Sequence, residues 1–489
     1  MTPECVQLMK WLIEPGTVVY LSGEAGTGKT YQIQQLLAHW PKPSHKDELP
    51  TVAVTAPTGL AADHIGGQTI HLFLRIPVKE HGFDLRYQPN GLLQLNPEDF
   101  PTGHHKSHEA FEERIKALKL LIIDEVSMVR CDLMEIIEAR LRMVRENDMP
   151  FGGLSLLLVG DLHQLPPVCK KEDREILRQT GHKSPYFFDA RVFSRQVVTI
   201  RFMELTQVHR VQQGMRKSAE LKDMLHNLRE GKWTEEAQRI TDQRNALIRE
   251  RFSTETANKF ITTHRVRAAI MNQWMLHYLP GPFVRITPIC KGEGKNYDIK
   301  PQTLVIKVGA PVMFTESDTV TIRGGKRRFY KGTFGIITQI CNDHLIISIQ
   351  QADGTLKQEK ILRMRWRLNE DHELKRISRP EYKEAKNFVS QYPIELAWAI
   401  TIHKAQGCSI DKLYVDAQEI FESGQLYVAL SRATSMAGLH MLSRILAPNV
   451  EVDPAVLRFE KIMRLQSKKS KSIPTTDSET EPKTDAQNA

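Results

Sequence analysis

A chain of 489 residues is too long for one hydrophobic core, and at roughly 150 residues per domain it predicts about three units. Hydrophobic residues at 41% and charged residues at 26% are normal for a globular protein, no apolar run reaches the roughly 18 residues of a membrane span, and the first residues, MTPECVQLMKWLIEPG, carry neither a signal-peptide cleavage site nor an Arg-rich transit pattern, so a cytoplasmic, nucleoid-associated location without membrane contact is expected. The net charge of +9 suits a polyanionic partner such as nucleic acid, and the six scattered cysteines, with no CxxC pair, predict reduced thiols and neither a zinc site nor a disulfide frame.

From the N-terminus, TVVYLSG (17–23) reads as a buried strand ending in a glycine loop, followed by helix-period sequence over 29–40. TVAVTA (51–56), LKLLIID (118–124) and LSLLLVG (154–160) are further strands, and 132–147 is a helix with Leu133, Ile136, Ile137, Leu141 and Val144 on one face. Continuous apolar strands separated by helices predict an α/β fold whose parallel sheet is covered on both faces. The Pro-, Gly-, His- and Asn-rich stretch 77–107 breaks the rhythm and reads as an insertion. A second α/β pattern begins at KFITTH (259–264) with a helix over 266–279. It resumes at KLYVDA (412–417), a helix around 425–433 and GLHMLS (438–443). Between the halves, short β-rich runs with Gly and Asp turns predict a small barrel-like insertion over 300–390. After 466 the chain is polar and reads as a disordered tail.

Gly23-Glu24-Ala25-Gly26-Thr27-Gly28-Lys29-Thr30 fits G-x-x-x-x-G-K-[ST] directly after a strand and before a helix. Glycines let backbone N–H groups turn inward around phosphates, and the helix N-terminus adds positive potential. Lys29 is expected on the β and γ phosphates and the Thr30 hydroxyl on Mg²⁺. Asp124 and Glu125 end the strand LLII, Asp124 to hold the magnesium and Glu125 to take the proton of the attacking water. These features predict a P-loop NTPase binding ATP and Mg²⁺, and leave open what the energy drives.

Further strings resemble the Pif-type helicases, the 5′-to-3′ branch of superfamily one, over roughly residues 15–445. Val54-Thr-Ala-Pro57-Thr58-Gly59 resembles motif Ia and Gly67-Gln-Thr69-Ile-His71 the next DNA-contacting element. Phe151-Gly-Gly through Gly160-Asp161-Leu-His-Gln164-Leu-Pro-Pro167 resembles motif III with its leading strand, and Glu204-Leu-Thr-Gln-Val-His-Arg210 resembles motif IV. Ala397 to Gly407 resembles motif V, and Gly424-Gln-Leu-Tyr427-Val-Ala-Leu-Ser431-Arg432 motif VI. The helix over 132–147 with Met149-Pro-Phe-Gly-Gly153 resembles the signature that separates this branch from RecD-like relatives, although a packing helix would look the same.

The resemblance implies two RecA-like P-loop domains with parallel sheets and an SH3-like β-barrel insertion in the second. The expected bounds are 1–200, 201–299 with 391–465, the insertion 300–390 and the tail 466–489. It implies Gln164 as γ-phosphate sensor, Arg210 and Arg432 as phosphate arginines, Gln406 and Gly407 on the nucleotide side, and Pro57, Thr58, Thr69, His71, His403 and Lys404 on single-stranded DNA. Its expected partners are single-stranded and forked DNA and a single-strand-binding protein, the chain acting as a monomer. One departure stands out: the adenine-reading glutamine that precedes the P-loop in the family falls near Cys5, with Gln7 out of register.

The insertion 77–107 occupies the place of the family's wedge, and Arg323-Gly-Gly-Lys326-Arg327-Arg328-Phe329-Tyr330-Lys331 mixes basic and aromatic residues suited to phosphates and bases, with a surface loop and a solvated turn as the plainer readings. Two other functions stay open: a RecD-like or conjugative motor within a larger complex, and an ATP-gated DNA clamp that separates no strands.

Overall fold

The computed structural model describes residues 1–42, 45, 48–77, 86–87, 93–96, 98, 100, 105–207, 219–251, 259–291, 303–318, 327–350, 355–368, 374–376, 388–446 and 450–471. The first half is built on a six-stranded sheet of β1 (Val18–Gly23), β2 (Val52–Ala56), β3 (Gln68–Thr69), β4 (Leu120–Ile123), β5 (Ser155–Gly160) and β6 (Ile200–Leu205). The strand order is β3-β2-β4-β5-β1-β6 and every pairing is parallel. The continuous apolar runs follow from this. Val18, Tyr20, Leu121, Ile123, Leu156 and Leu158 enter one core, while their alternates Val19, Leu21, Leu120, Ile122, Leu157 and Val159 enter another on the opposite face. Each such side chain contributes roughly 1.5–3 kcal/mol of burial, and polar side chains buried in these strands are bonded: Thr55 donates to the Ile122 carbonyl at 3.0 Å and Ser155 to the Glu14 carbonyl at 2.8 Å.

Helices α1 (Pro3–Leu12) and α2 (Lys29–His39) cover one face, and α3 (Cys131–Arg145) lies in the other core. The one-sided apolar stripe expected for α3 is too simple. Glu135, Glu138, Arg140 and Arg142 are buried as well, so the helix is enclosed on nearly all sides. Three of these four are paired: Arg142 bridges Glu138 at 2.7 Å and donates to the Leu93 carbonyl, and Glu135 accepts from the Arg191 N–H and His182, while Arg140 lies over the Phe100 ring at 4.5 Å and donates to the Leu74 carbonyl at 3.3 Å. The Met149–Gly153 signature is a turn folded back on this helix. Phe151 is fully buried at φ +54°, its N–H donates to Glu138, and Arg145 donates to the Gly152 carbonyl at 2.7 Å. Its visible work is packing.

The second half carries α4 (Ala219–Arg229), α5 (Arg265–Tyr278), α6 (Gln425–Ser431) and a four-stranded parallel sheet. Its strands, β7 (Lys259–Thr262), β8 (Ala399–Thr401), β9 (Leu413–Val415) and β10 (Leu439–Met441), lie in the order β8-β7-β9-β10. Leu221, Met224, Leu225 and Leu228 of α4 pack on one face with Ile261, Ile400 and Val415, while Phe260, Ala399 and Tyr414 face the other core. Between β7 and β8 the described strands are antiparallel. They form a five-stranded sheet (Pro311–Phe314, Phe334–Ile340, Leu345–Gln350, Leu356–Ile361, Ile394–Leu396), a four-stranded one (Ile289–Lys291, Met364–Leu368, Leu374–Arg376, Phe388–Gln391) and a two-stranded one (Val284–Ile286, Leu304–Ile306). The β-rich region thus draws in strands on both sides of the expected 300–390.

The chain ends differently from expectation. A last helix, α7 (Pro454–Lys471), continues past 466, and residues 472–489 lie outside the described residues. Val456 and Met463 are buried in the core of the first half, and Phe459 stacks on Phe188 at 4.2 Å. Their i, i+3, i+7 spacing supplies one apolar stripe, and that stripe docks on the half of the molecule farther away in sequence. The expected insertion 77–107 lies mostly outside the described residues; its described strands Arg86–Tyr87 and Leu93–Gln94 pair antiparallel, and Leu93, Leu95 and Phe100 anchor in the first core.

Candidate ATP cleft and nucleic-acid groove

The phosphate loop follows β1 and opens α2 as its sequence requires. Gly26 and Gly28 adopt φ +89° and +90°, a region that side chains strain. A Cβ on Gly23 would fall 2.4 Å from Thr27 Oγ1 and 3.1 Å from the Leu205 carbonyl. Lys29 reaches across the loop, its Nζ donating to the Gly23 carbonyl at 2.7 Å and the Glu24 carbonyl at 3.1 Å. Thr30 is exposed at the start of α2.

Facing it at the end of β4 are Asp124 and Glu125. Glu125 sits at φ +51°, a costly conformation for a residue with a Cβ, which turns its carboxyl toward the cleft. Burial and its neighbour's negative charge push the Asp124 carboxyl well above its usual range, with Lys29 opposing. Burial likewise raises Glu125, opposed by Lys29, Arg432 and a hydrogen bond from Gln406 Nε2 at 3.2 Å. A pair of acids short of positive charge, beside an exposed hydroxyl, is the hard oxygen set that suits Mg²⁺. Asp124 and Thr30 would hold the ion. Among the described residues there is no group of three His, Cys, Asp or Glu to cage a metal alone.

The two halves meet at Asp161, just after β5, which is fully buried. It accepts from Arg229 of α4 at 3.1 Å, from the Tyr427 hydroxyl of α6 at 3.0 Å, from the His163 N–H at 3.2 Å and from Gln164 at 3.4 Å. Burial raises its carboxyl, but Arg229 and Lys29 outweigh that and hold it down at about 2. Arg229 also donates to Glu24 of the phosphate loop at 3.3 Å, and Tyr427 accepts the Ala25 N–H at 3.2 Å. Burial works against the Arg229 charge, and the surrounding acids, Asp161 foremost, overcome it. Close backbone contact completes the join: a Cβ on Gly424 would lie 2.2 Å from the Gln164 carbonyl oxygen. Arg432 is buried one turn on, its guanidinium held by the Val428 carbonyl at 3.0 Å and Ser431 at 2.7 Å, with its charge acting on Glu125.

On the other side of Glu125 and Gln406 lies a groove of about 1160 Å³. Thr58 and Gly59 line it from the first half, Arg265 and Asn272 of α5 with His403 and Lys404 from the second, and Phe283, Arg285 and Lys331 from the β-rich region. Phe283 is 53% exposed. Its ring is braced by the Lys307 ammonium at 3.9 Å, and Lys307 is itself tied to the His277 and Leu279 carbonyls that end α5.

Residues 8–239 match the family model of the PIF1-like helicases. The ATP-dependent DNA helicase Pif1 of Bdellovibrio bacteriovorus is 28% identical over 472 residues, covering 92% of this chain and 89% of that protein. The human ATP-dependent DNA helicase PIF1 is 30% identical over 94% of this chain, which spans only 64% of that longer protein. Among solved structures, Bacteroides Pif1 bound to single-stranded DNA superposes with a TM-score of 0.71 at 30% identity, over 95% of this chain and 97% of that one. A structure of two coordinating Pif1 helicases at forked double-stranded DNA matches with the same TM-score, over 98% of its chain. This chain belongs to the Pif1-like helicase family.

Of the residues a Pif1-like chain is expected to use on ATP, Lys29, Glu125, Gln164, Gln406 and Arg432 gather around one cleft. Arg210 lies outside the described residues. Cys5, near which the family's adenine-reading glutamine is expected, is fully buried among Leu8, Leu12 and Ile33, and the capping Thr2 hydroxyl donates to Gln32 at 2.9 Å.

The DNA residues divide. Thr58, His403 and Lys404 line the groove, whereas Pro57, Thr69 and His71 are not among its walls; Thr69 caps the short helix Ile70–Leu74, and burial pushes the His71 imidazole down. Lys404 is locked on Glu395 at 2.6 Å, and burial with Arg265 pushes His403 toward its neutral form. The basic cluster expected at 323–331 is largely structural where described. Arg328 is bonded to Asp318 at 3.1 Å, and Phe329 is buried and stacked on Phe314 at 3.9 Å, leaving Lys331 in the groove. Arg229, Arg265, Arg285 and Phe283 were not singled out from sequence, and Asp161 and Tyr427 were named only as members of motifs III and VI, without a role. For Arg229 a signal existed, since it continues the buried stripe Leu221, Leu225 of α4 at i+4.

Proposed function

We propose that this chain is an ATP-dependent DNA helicase that moves 5′ to 3′ along single-stranded DNA and opens the duplex ahead of it. One observation carries the reading: Glu125 and the Gln406 amide bonded to it form a shared wall of the ATP cleft and the groove. A strand in the groove therefore presses on the residue that activates water, and the state of the nucleotide is felt on the strand. ATP enters where Tyr427 and Arg229 now pair with Ala25, Glu24 and Asp161, so binding must rearrange contacts between the halves. Lys29 and Arg432 place positive charge against the γ-phosphoryl group, and Glu125 takes the proton of the attacking water. Mg²⁺ on Thr30 and Asp124 supplies charge neutralisation of the phosphates.

In the groove, Arg265, Arg285 and Lys331 supply the phosphate contacts, Thr58 and His403 line the path, and the exposed face of Phe283 offers a stacking surface for a base. The β-rich unit serves as the SH3-like cup over the strand, and 77–107 as the wedge. The chain works as a monomer in the nucleoid, on strands kept open by a single-strand-binding protein. The test is strand displacement with ATP and Mg²⁺ on duplexes bearing a 5′ or a 3′ tail, with Lys29→Ala as control. Displacement from the 5′ tail alone, lost in the variant, is expected. Displacement from the 3′ tail alone refutes the direction, and DNA-stimulated hydrolysis without displacement favours the clamp.

A further inference from the structure

The turn after β5 has one more neighbour, which comes from the far end of the chain. Val450 is buried in the core of the second half and Val456 in that of the first, so the segment between them straps the two halves together. It runs beside the turn itself: residues 450–453, His163, Gln164 and Tyr427 line one small cavity. On α7, the stripe Val456, Phe459, Met463 seats the helix, and Glu460 and Arg464 stand beside it one turn apart.

Glu460 Oε2 lies 3.0 Å from His163 Nε2, with both side chains almost wholly buried at 2% and 5% exposure. Arg464 donates to the same oxygen at 3.1 Å and bridges Glu204 at 2.8 Å. Glu204 is in register with Ser22, one residue before the phosphate loop. The helix therefore grips both the turn after β5 and β6, the strand that pairs with β1 ahead of the phosphate loop. A buried carboxylate is costly to keep, and Glu460 Oε1 and His163 Nδ1 have no hydrogen-bond partner among the described residues. Packing alone would be served as well by an apolar residue at position 460.

We infer that Glu460 is a positioning residue for ATP hydrolysis. Through His163 it fixes the turn 161–164, so that Asp161 keeps its hold on Arg229 and Tyr427, and Gln164 stays bonded to Asp161 and packed against Gly424. Because α7 is tethered to the second half, opening of the cleft loads this same contact. The inference rests on the reading of the ATP cleft given above.

The test measures DNA-stimulated ATP hydrolysis and thermal stability together in the full chain. Glu460→Met, which keeps the volume and removes the acceptor, should lower kcat roughly tenfold while KM for ATP stays within about twofold. Glu460→Gln, which keeps an acceptor oxygen, should recover most of the rate. Val456→Ala, on the same helix but away from the turn, should lower Tm without lowering kcat at a temperature where the protein stays folded. An unchanged kcat in Glu460→Met overturns the inference. So does a loss of kcat in Val456→Ala that tracks its Tm, which would make α7 a mere structural support. If Glu460→Met does not fold, His163→Leu reads the contact from the other side, and a wild-type kcat there is equally fatal. In the same assay Lys29→Ala must lose hydrolysis. If it does not, the reading of the cleft itself has failed.

Discussion

The ATP cleft and the nucleic-acid groove share a wall but are built on opposite principles. In the cleft the charges are buried or half-buried, and where the two halves meet they are answered one by one: Asp161 alone takes Arg229, Tyr427, Gln164 and a backbone N–H. In the groove the cations that matter stand in solvent, and Lys404, which sequence placed on the strand, is already occupied by Glu395. A buried charge must be matched residue by residue, so removing one partner is felt at full strength. An exposed charge acts through a screened field shared among its neighbours, and each one matters little.

The sharpest break in that comparison is Glu125→Gln. Hydrolysis should fall by about 10²–10⁴-fold, the usual worth of a general base. The same change should raise Tm by about 2 °C, since it relieves repulsion within a buried acidic pair. The sign follows from the direction of the shifts. The folded protein holds these carboxyl protons longer than the unfolded chain, so their ionisation destabilises the fold as pH rises through their folded-state values. Because Glu125 must be ionised to act as a base, kcat in the wild type should fall on the acid side at a pH above the ordinary carboxylate value of about 4.3. A rate–pH limb at that ordinary value, or a lower Tm in the variant, would break the account.

Arg229→Ala comes next. It leaves Asp161 and Glu24 facing the cleft without their cation, and about 3–5 kcal/mol of stability should be lost in denaturant unfolding, along with hydrolysis. Adding Asp161→Asn should return much of the stability but none of the activity. If the double variant is no more stable than the single one, the two residues are not the coupled pair described here.

How far sequence reasoning reached follows the same divide. The strands were legible because both faces of a parallel sheet are apolar, and the loop 23–30 because phosphate geometry leaves little freedom in residue type. Arg229 and Glu460 were not, because each is a charge riding on an apolar helical stripe, Leu225 to Arg229 and Val456 to Glu460, and a stripe is read for what repeats in it. The buried charges of α3 escaped for that reason too. Arg265, Arg285 and Lys331 come from a helix, a strand and a turn distant in sequence, so no local pattern announces them. Cys5 is the reverse case: the resemblance sets the family's nucleotide-reading glutamine near it and so marks a departure, and the capped turn of α1 points it into the core.

The smallest effects test the groove. Single alanine substitutions at Arg265, Arg285 or Lys331 should each weaken single-stranded DNA binding several-fold and reduce the salt slope by about 0.7, the share of one phosphate contact on a single strand. Phe283→Ala should weaken binding too, but leave the salt slope alone, because stacking releases no counterions. Lys404→Ala should do least of all in affinity, since its ammonium is already spent on Glu395. Glu395→Gln then becomes the telling variant. It frees the Lys404 ammonium toward the groove, so binding should tighten and the salt slope should steepen by up to about 0.7. If instead Lys404→Ala weakens binding as much as Arg285→Ala does, the ion pair opens when the strand arrives, and the groove is more like the cleft than its resting geometry suggests.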